Sequence, residues 1–471
     1  MSNPTTRRFF LGAVTAAAAT RVWGANDKIN VAIIGLGGRG SSHLNTYPRL
    51  PDARVAGLCD IDQAARERAQ ATLQKIASGE KAKEFEDMRQ AFADPGIDAV
   101  SIATPNHWHA LATIWACQAG KDVYSEKPAC YNIYEGLRMV QVANETKRIV
   151  QIGSQHRSMP FKIRAIEAMQ GGLIGKIYMA KGLCFKRRRS IGHKEDSAVP
   201  PGVNWDLFLG PAPLRPFNEL RFKYNWHWFW DTGNGDIGNQ GVHEIGLCRW
   251  ALGDPEWPKS AFASGGKYAY DDDQETPNTQ LASYDYGGRE IVFEVRGILT
   301  GGEGTPPRRM GGGGPGGRGG RGGRGVSPGA DAPPPAPTPA ANPASAPANV
   351  TVGNLFYGSE GWASMDDAGF QAYKGESSEL VMDERPERGG PGTDGTSLHM
   401  ENFLAACRSR NVKDLRDPIS NSHFSAGLCH LANISYRTGH KLNLGPGPRF
   451  TGDAEADKQI TRQPYRKPYV V

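Results

Sequence analysis

A glycine-rich turn near the start of the chain has the residue types and spacing needed to bind phosphates. Residues 35–40 read Gly-Leu-Gly-Gly-Arg-Gly, directly after a β-branched run at 28–34 and before a helical stretch. Gly35 allows a tight turn, Gly37 lets the backbone approach a pyrophosphate, and Gly40 lets helix and strand pack closely. The helix N-terminus then offers free N–H groups and a positive dipole to the phosphates. The pattern therefore predicts a dinucleotide site.

A carboxylate follows at the position where an adenosine ribose would be recognised. A second strand-like run at 54–59 ends in Asp60, 20 residues after Gly40, and a carboxylate at this spacing accepts hydrogen bonds from the ribose hydroxyls. Its charge repels a 2′-phosphate, which favours NAD over NADP. Arg39 or Arg66 offers a positive charge to such a phosphate, so NADP stays open.

Further polar residues lie where later strands of the same pattern end. Strand-like runs at 98–103 and 122–125 alternate with helical stretches, and the carboxyl ends of parallel strands meet at one edge of a sheet. The predicted cofactor-binding residues are Gly35, Gly37, Gly38, Arg39, Gly40, Asp60, Thr104, Pro105, Asn106, His107, Glu126 and Lys127. With a depressed pKa, Lys127 would also handle a substrate proton; the alternative is a lysine that only pairs with Glu126 at the rim.

An aromatic and polar stretch at residues 224–243 is the densest cluster of candidate substrate-binding groups. Large aromatic side chains suit stacking against sugar C–H faces, although they would equally fill a core between two domains. His156, after a strand-like run at 148–153, is also expected to face the cleft. The predicted substrate-binding residues are His156, Trp226, Trp228, Trp230 and Asp231.

Two patterns of secondary structure divide the chain into domains. Strands alternate with helices over residues 28–150, which predicts a doubly wound parallel sheet of the Rossmann type. Longer strand-prone stretches over 151–445 predict an α+β domain with a mainly antiparallel sheet. Residues 446–471 are predicted to form a C-terminal tail. The predicted fold class is therefore α/β plus α+β.

These motifs resemble the Gfo/Idh/MocA oxidoreductase family. The resemblance rests on the glycine turn, on Ala103-Thr104-Pro105-Asn106 with His109, and on Glu126-Lys127-Pro128. It extends over about residues 28–445 and implies an open-faced sheet in the second domain. It also implies that Lys127 lies beside the nicotinamide, where it contacts the substrate hydroxyl or helps in proton transfer.

The resemblance further implies a general-base histidine that is oriented by an aspartate four residues before it. His243 matches the histidine, whereas Asn239 stands at the position of the aspartate. An amide does not stabilise an imidazolium as a carboxylate does. Asp236 or Glu244 is therefore an alternative partner for the histidine, and a second alternative is that His243 positions the substrate and does not take its proton. The predicted catalytic residues are Lys127, His243 and Asn239.

The formal charge of +6 and the excess of glycine and proline are both local features. Residues 301–349 hold 15 of the 59 glycines, 11 of the 33 prolines and a net charge of +3, a composition that predicts a disordered insert. Residues 1–25 carry a further +3, so the folded body is nearly neutral, and no nucleic-acid partner is expected. The seven cysteines form no C-x-x-C motif, and no metal site is predicted.

Residues 1–25 predict an export signal. Arg7 and Arg8 precede Phe-Phe-Leu and a short alanine-rich apolar run, a pattern that resembles the twin-arginine signal. The run is too short to span a bilayer, so we expect a periplasmic or secreted protein without a membrane span. Because this route carries folded proteins, we expect the cofactor to be bound before export and held tightly.

The sequence thus predicts an exported oxidoreductase that transfers hydride between a sugar or polyol hydroxyl carbon and a tightly bound NAD, or NADP. A redox-neutral glycoside hydrolase, which oxidises its substrate, eliminates the aglycone and reduces the product again, is one alternative. A sugar-binding protein without catalysis is another, and Asn239 favours it. The expected partner is a small carbohydrate, and the chain is expected to form a homo-oligomer.

Overall fold

Two β-sheets organise the computed structural model of this chain, which describes residues 27–303, 350–386, 395–462 and 464–471. The predicted signal segment at 1–25 lies outside the described residues. So does nearly all of the predicted insert at 301–349.

The first sheet has six parallel strands in the order β3-β2-β1-β4-β5-β6. The strands are β1 Ile29–Ile34, β2 Ala53–Cys59, β3 Lys83–Phe85, β4 Ala99–Ile102, β5 Asp122–Ser125 and β6 Val150–Ile152. The helices between them are α1 Gly38–Thr46, α2 Gln63–Ile76, α3 Met88–Ala93, α4 His109–Gln118 and α5 Ile133–Thr146. The strand order reverses between β1 and β4, which is the crevice where doubly wound sheets bind ligands.

The second sheet has nine strands in the order β14-β13-β12-β11-β7-β10-β9-β8-β15. They are β7 Ile177–Cys184, β8 Ser260–Gly266, β9 Thr279–Asp285, β10 Glu290–Arg296, β11 Val352–Gly358, β12 Gly361–Met365, β13 Phe370–Lys374, β14 Glu379–Glu384 and β15 Leu442–Asn443. All neighbouring pairs are antiparallel except β7 and β10, which are parallel. The predicted fold class, a Rossmann sheet followed by a mainly antiparallel sheet domain, is confirmed.

Seven further helices accompany the second sheet in the described part of the chain. They are α6 Pro160–Gln170, α7 Trp205–Leu209, α8 Gly235–Asn239, α9 Gly241–Ala251, α10 Thr396–Ser409, α11 Ile419–Thr438 and α12 Ala454–Lys458. Helix α9 packs against β7 and β10, and α11 packs against β8 and against α5 of the first domain. The core of the second domain is therefore continuous with the outer layer of the first.

Helix α10 packs on the first sheet, although its sequence lies far beyond the Rossmann strands. Met400, Phe403 and Leu404 join the same buried cluster as the residues of β1 and β2. Arg410, just after the helix, forms an ion pair with Asp122 at the start of β5. The first domain is thus completed by a segment from the far end of the chain.

The seven cysteines are buried and none forms a disulfide, so they pack as small apolar residues. In the part of the chain that the structure describes, no helix is long and apolar enough to cross a membrane. Within the same residues, no group of three or more His, Cys, Asp or Glu side chains could hold a metal ion.

Phe293 on β10 should be a main support of the second core. Its ring is fully buried and lies against Gly182 and Gly241, where a Cβ would come within 3 Å of it. Phe293→Ala is expected to lower the free energy of unfolding by about 3–5 kcal/mol, because it removes buried apolar surface and leaves a cavity. Urea denaturation followed by tryptophan fluorescence measures the change.

Phe262→Ala is the matched control for this variant, because Phe262 on β8 is 43% exposed. Its unfolding midpoint should stay near that of the wild type. Equal losses for the two variants would contradict the assignment of Phe293 to the core.

Candidate active site

A cavity of about 750 Å³ lies at the carboxyl edge of the first sheet and is closed on its other side by the second domain. Its size is in the range of small-molecule and cofactor sites. The predicted residues that line it are Gly35, Gly37, Gly38, Arg39, Asp60, Thr104, Pro105, Glu126, Lys127, Trp226 and Asn239. One continuous space therefore joins the glycine turn to Lys127.

The glycine turn is shaped as its sequence predicts. Gly35 has a φ of +86°, and a Cβ there would lie 2.9 Å from the backbone of Ala103. A Cβ on Gly40 would overlap the carbonyl oxygen of Gly35. Gly37 and Gly38, by contrast, face open space in the cavity. Their backbone amides, at the N-terminus of α1, leave room for a pyrophosphate.

Asp60 is held in place by the turn that it faces. Its carboxylate oxygens accept hydrogen bonds from the backbone N–H groups of Leu36, at 2.6 Å, and Asp62, at 2.9 Å. Burial raises the pKa of the Asp60 carboxyl, while these two amides and the nearby charge of Arg66 act in the opposite direction. Arg66 donates to the carbonyl oxygen of Asp60 at 2.5 Å. The carboxylate is thus fixed at the cavity wall, where it fits a ribose diol.

Glu126, at the end of β5, is the buried centre of an ion-pair network. Its Oε1 accepts from Arg39 Nε at 2.7 Å and lies 3.0 Å from His43 Nε2. The other ring nitrogen of His43 lies 2.9 Å from Ser101 Oγ. Burial alone would raise the pKa of Glu126, but Arg39 and His43 hold it well below its usual range. Glu126 therefore positions the glycine turn as a charged group.

Lys127 meets Asn239 where the cavity reaches the second domain. Lys127 Nζ donates to the backbone oxygen of Asn239 at 2.6 Å and lies 3.5 Å from its side-chain oxygen. Burial lowers the pKa of the Lys127 ammonium, and the positive charge of Arg39 lowers it further. The carboxylates of Glu126 and Glu244 raise this pKa but do not outweigh burial. Because its pKa is lowered, more of this lysine is a neutral amine at a given pH, which suits it to accept a proton.

His243 lies one turn beyond Asn239, and its ring contacts the ring of His156, with the centroids 4.8 Å apart. Burial, together with the charge of Lys127, holds the pKa of His243 well below its usual value. His156 Nε2 lies 3.5 Å from a carboxylate oxygen of Asp367, which also accepts from Lys162 Nζ at 2.8 Å. His243 and His156 do not line the described cavity, although burial and, more weakly, the charge of Lys127 lower the pKa of both.

The two carboxylates proposed as substitutes for the missing aspartate are engaged elsewhere. Asp236 forms a buried ion pair with Arg188, with oxygen–nitrogen distances of 2.7 and 2.8 Å. Glu244 accepts from Gln240 Nε2 at 3.1 Å, and burial raises its pKa to about 8. Neither carboxylate hydrogen bonds to the ring of His243 in the described part of the chain.

Besides His156, a further group of predicted cofactor or substrate residues lies away from the cavity. His107 packs beneath Phe208 and hydrogen bonds to its carbonyl oxygen, at 2.9 Å, because residues 106–108 form a 3₁₀ turn that rotates it inward. Asn106 donates to Asn234 in the domain interface at 2.5 Å. Trp228 is buried in the second domain. Asp231 is paired with Arg215.

Trp230 and Trp226 have different surroundings although they are close in sequence. Trp230 is half-buried beneath the guanidinium of Arg437, 5.3 Å from its ring centroid, and does not line the cavity. Trp226 does line it, beside Tyr224. Within residues 226–230, all of which the structure describes, Trp226 alone lines this cavity and is therefore placed to contact a ligand there.

Several cavity residues were missed by the sequence reasoning. They are Trp108, His109, Leu207, Phe208, Tyr224 and, behind Glu126, His43. Trp108 and His109 follow the predicted strand-end residues directly, so their position in the sequence was a usable signal. Leu207 and Phe208 carried no such signal, since they reach the cavity only through packing between the domains.

Asp60→Asn is expected to weaken NAD binding and to improve NADP binding. The amide keeps the shape but loses the charge that accepts ribose hydrogen bonds and repels a 2′-phosphate, a change of about 1.5 kcal/mol or roughly tenfold in Kd. Titration of the apoprotein with NADH and NADPH, followed by fluorescence, measures both constants. Glu84→Gln, an exposed carboxylate on β3, should change neither, and an unaltered preference in Asp60→Asn would contradict the assigned role.

Comparison with known proteins agrees with this geometry. A model described as the oxidoreductase family, NAD-binding Rossmann fold, matches residues 29–154. A second model, described as the C-terminal alpha/beta domain of the same oxidoreductase family, matches residues 168–285. Together the two matches cover just over half of the chain.

Curated relatives match over about half of the chain. An inositol 2-dehydrogenase of Rubrobacter xylanophilus is 29% identical over 49% of this chain and 61% of its own length. A levoglucosan dehydrogenase of Pseudarthrobacter phenanthrenivorans is 25% identical over 48% and 52%. A glycosyl hydrolase family 109 protein of Saccharopolyspora erythraea is 27% identical over 50% and 53%. The chain thus spans little more than half the length of these relatives.

Solved structures match over nearly the whole fold. A levoglucosan dehydrogenase in complex with NADH and levoglucosan has a TM-score of 0.60 at 15% identity, over 88% of this chain and 99% of its own. The WlbA dehydrogenase of Bordetella pertussis in complex with NADH and UDP-GlcNAcA has a TM-score of 0.59 at 19% identity, over 89% and 98%. From its two family-model matches, its motifs and its fold, this chain belongs to the Gfo/Idh/MocA oxidoreductase family.

Proposed function

We propose that this protein transfers hydride between a hydroxyl-bearing carbon of a sugar or polyol and a tightly bound nicotinamide dinucleotide, with NAD preferred. The single observation that carries the proposal is the continuous cavity that joins the open glycine turn and Asp60 at one end to Lys127 and Asn239 at the other. The family supplies the oxidoreductase class. The names of the inositol and levoglucosan dehydrogenases support a sugar or polyol as the substrate.

Different residues of the cavity would bind different parts of a dinucleotide. The amides at Gly37 and Gly38 would hold the pyrophosphate, Asp60 the ribose, and the end of β5 the nicotinamide. When bound, the nicotinamide supplies the acceptor or donor of hydride. Phe208 and Trp226 line the cavity from the second domain, and with a dinucleotide bound they would help to exclude water from it.

Lys127 is proposed as the group that takes the hydroxyl proton when hydride leaves the substrate carbon. Its Nζ is fixed by the backbone oxygen of Asn239 at 2.6 Å, an uncharged partner that accepts a hydrogen bond from an amine as well as from an ammonium. Burial lowers the pKa of this ammonium, so more of it is a neutral amine at a given pH. His243 is proposed to orient the substrate beside it.

Lys127→Met is expected to lower kcat by about 10²–10⁴-fold with cofactor still bound, because the variant keeps the apolar stem but removes the proton acceptor. The wild-type kcat/KM for oxidation should rise with pH through a pKa below the ordinary lysine value, since only the neutral amine accepts a proton. Initial rates of NADH formation across a pH series measure both.

Lys176→Met, an exposed lysine before β7, is the control and should keep wild-type kcat. His243→Ala should lower kcat/KM while retaining the pH dependence of the wild type. Unchanged turnover in Lys127→Met would exclude Lys127 as the proton acceptor.

A redox-neutral glycoside hydrolase is the second candidate function, favoured by the glycosyl hydrolase family 109 relative. In such a cycle hydride returns to the sugar after the aglycone is eliminated, so reduced cofactor does not accumulate. The same Lys127 and cavity would serve both reactions.

Aryl glycosides distinguish the two candidates. Purified protein that retains its cofactor is incubated with p-nitrophenyl glycosides and no added acceptor. The dehydrogenase proposal predicts no p-nitrophenol release but NADH absorbance at 340 nm with a free sugar or polyol. Steady release of the aglycone with only the cofactor that the protein retains would contradict the dehydrogenase proposal and support the hydrolase. Binding of cofactor and sugar without either signal would support the non-catalytic alternative.

Export through the twin-arginine route is also proposed, with a periplasmic or secreted location. The arginine pair in residues 1–25 supports it, and so do the seven buried, unpaired cysteines, because such a chain needs no oxidising compartment in order to fold. Cell fractionation with Arg7→Lys/Arg8→Lys, which keeps the charge, should leave the protein in the cytoplasm. Homo-oligomerisation stays a prediction, which light scattering of the purified protein measures.

A further inference from the structure

The last described segment of the chain contacts both the first domain and one wall of the cavity. This segment, residues 460–462 and 464–471, is here called the strap. Its Tyr469 is only 3% exposed and packs edge-on against the indole of Trp108, with the ring centroids 5.4 Å apart. Tyr465 donates its hydroxyl to Glu135 Oε1 at 3.0 Å. The backbone N–H of Tyr134 donates to the carbonyl oxygen of Ile460 at 3.0 Å.

The strap also forms hydrogen bonds and an ion pair with helix α7 of the second domain. Arg466 Nε donates to the carbonyl oxygen of Gly210 at 2.7 Å, and Arg466 Nη2 donates to the carbonyl oxygen of Asp206 at 2.7 Å. The guanidinium also forms an ion pair with the Asp206 carboxylate. Tyr469 donates its hydroxyl to the same carboxylate at 3.2 Å. Arg466 therefore contacts both ends of α7.

Helix α7 is part of the cavity wall through Leu207 and Phe208. It has five residues, which is too short to be stable by itself. On the side of the first domain it is supported by His107, which hydrogen bonds to the carbonyl oxygen of Phe208, and by Trp108, whose Nε1 donates to the carbonyl oxygen of Leu207 at 3.0 Å. Gly210, with a φ of +47°, lies so close to the Trp108 ring that a Cβ would overlap it. The wall is thus held from both sides, by Trp108 and by the strap.

We propose that the strap positions α7 over the cofactor cavity and thereby sets the rate at which the nicotinamide dinucleotide dissociates. The proposal rests on the proposed function, since it assumes that a dinucleotide binds in this cavity. Movement of α7 away from Trp108 would open the wall, and it requires the Arg466 and Tyr469 contacts to break. Arg466 is a positioning residue, because it does not line the cavity itself.

Cofactor release from the full-length protein tests the role of the strap. Wild type and Arg466→Ala are loaded with NADH and mixed with excess NAD, and the loss of bound-NADH fluorescence gives the dissociation rate. We expect the rate to rise at least tenfold in Arg466→Ala and about threefold in Tyr469→Phe, which loses only the hydroxyl contact with Asp206. Kd should change less than the dissociation rate, because an open wall also speeds association. Arg449→Ala, an exposed arginine outside these contacts, should behave as wild type.

Hydrogen exchange of the backbone amides of residues 205–212 provides a second readout that needs no cofactor. It should be faster in Arg466→Ala, while exchange in β1 and β9 stays at the wild-type rate. An unchanged dissociation rate, or a faster rate without faster exchange in α7, would overturn the proposal. If Arg466→Ala does not fold, Tyr469→Phe decides by the same two measurements. A wild-type protein that binds no NADH would overturn the proposed function and this inference with it, whereas NADH binding with unaltered release would overturn this inference alone.

Discussion

The buried carboxylate of Glu126 is the interaction on which the rest of the site depends. It joins α1, through Arg39 and His43, to the end of β5, where the next residue is Lys127. A Cβ on Gly153, at the end of β6, would come within 2.7 Å of it, so the neighbouring strand also limits its position. Burying a carboxylate is unfavourable unless it is paired, and the guanidinium of Arg39 supplies that pairing. The phosphate-binding turn and the proposed proton acceptor are thereby fixed relative to each other.

Asn239 gives a physical reason for the division of roles between Lys127 and His243. A carboxylate at this position would face Lys127 Nζ and strongly favour the charged ammonium; the uncharged amide and its backbone oxygen favour it much less. Burial, together with the charge of Lys127, holds the pKa of His243 well below its usual value, and no carboxylate at position 239 acts in the opposite direction. In this chain the departure from the family's aspartate therefore moves basicity toward the lysine, whereas a carboxylate would have supported the histidine.

The Rossmann half of the fold was largely predictable, because its signals are local. The glycine turn, the β-branched runs and Asp60 follow from spacing along 28–150. In the structure the runs form parallel strands, and the turn and Asp60 lie at the carboxyl edge of their sheet. Asn106 and His107 could not be placed in this way, since a 3₁₀ turn after β4 rotates both away from the cavity. Spacing gives the end of a strand but not the direction of the side chains that follow it.

Contacts between distant segments were the other part that the sequence did not reveal. The aromatic side chains of residues 226–230 lie in different surroundings, in the cavity wall, in the core or at an interface. Their packing partners are far away in the sequence. Asp236 is neutralised by Arg188, a residue from a basic run whose composition is typical of a solvated surface. Neither the Asp236–Arg188 ion pair nor the burial of each aromatic side chain has a local sequence signature. Both depend on how the second sheet and its loops fold over the first domain.

The packing of α10 on the first sheet has a consequence for biosynthesis. Met400 and Phe403 pack on one face of the Rossmann sheet, so part of that face stays open on the ribosome until α10 has emerged. Domains usually fold one after another, the N-terminal one first, but here the sheet whose last strand ends at Ile152 waits for a helix that begins only at Thr396. The nascent first domain would therefore expose apolar surface while the strands of the second sheet from β7 to β14 are being made.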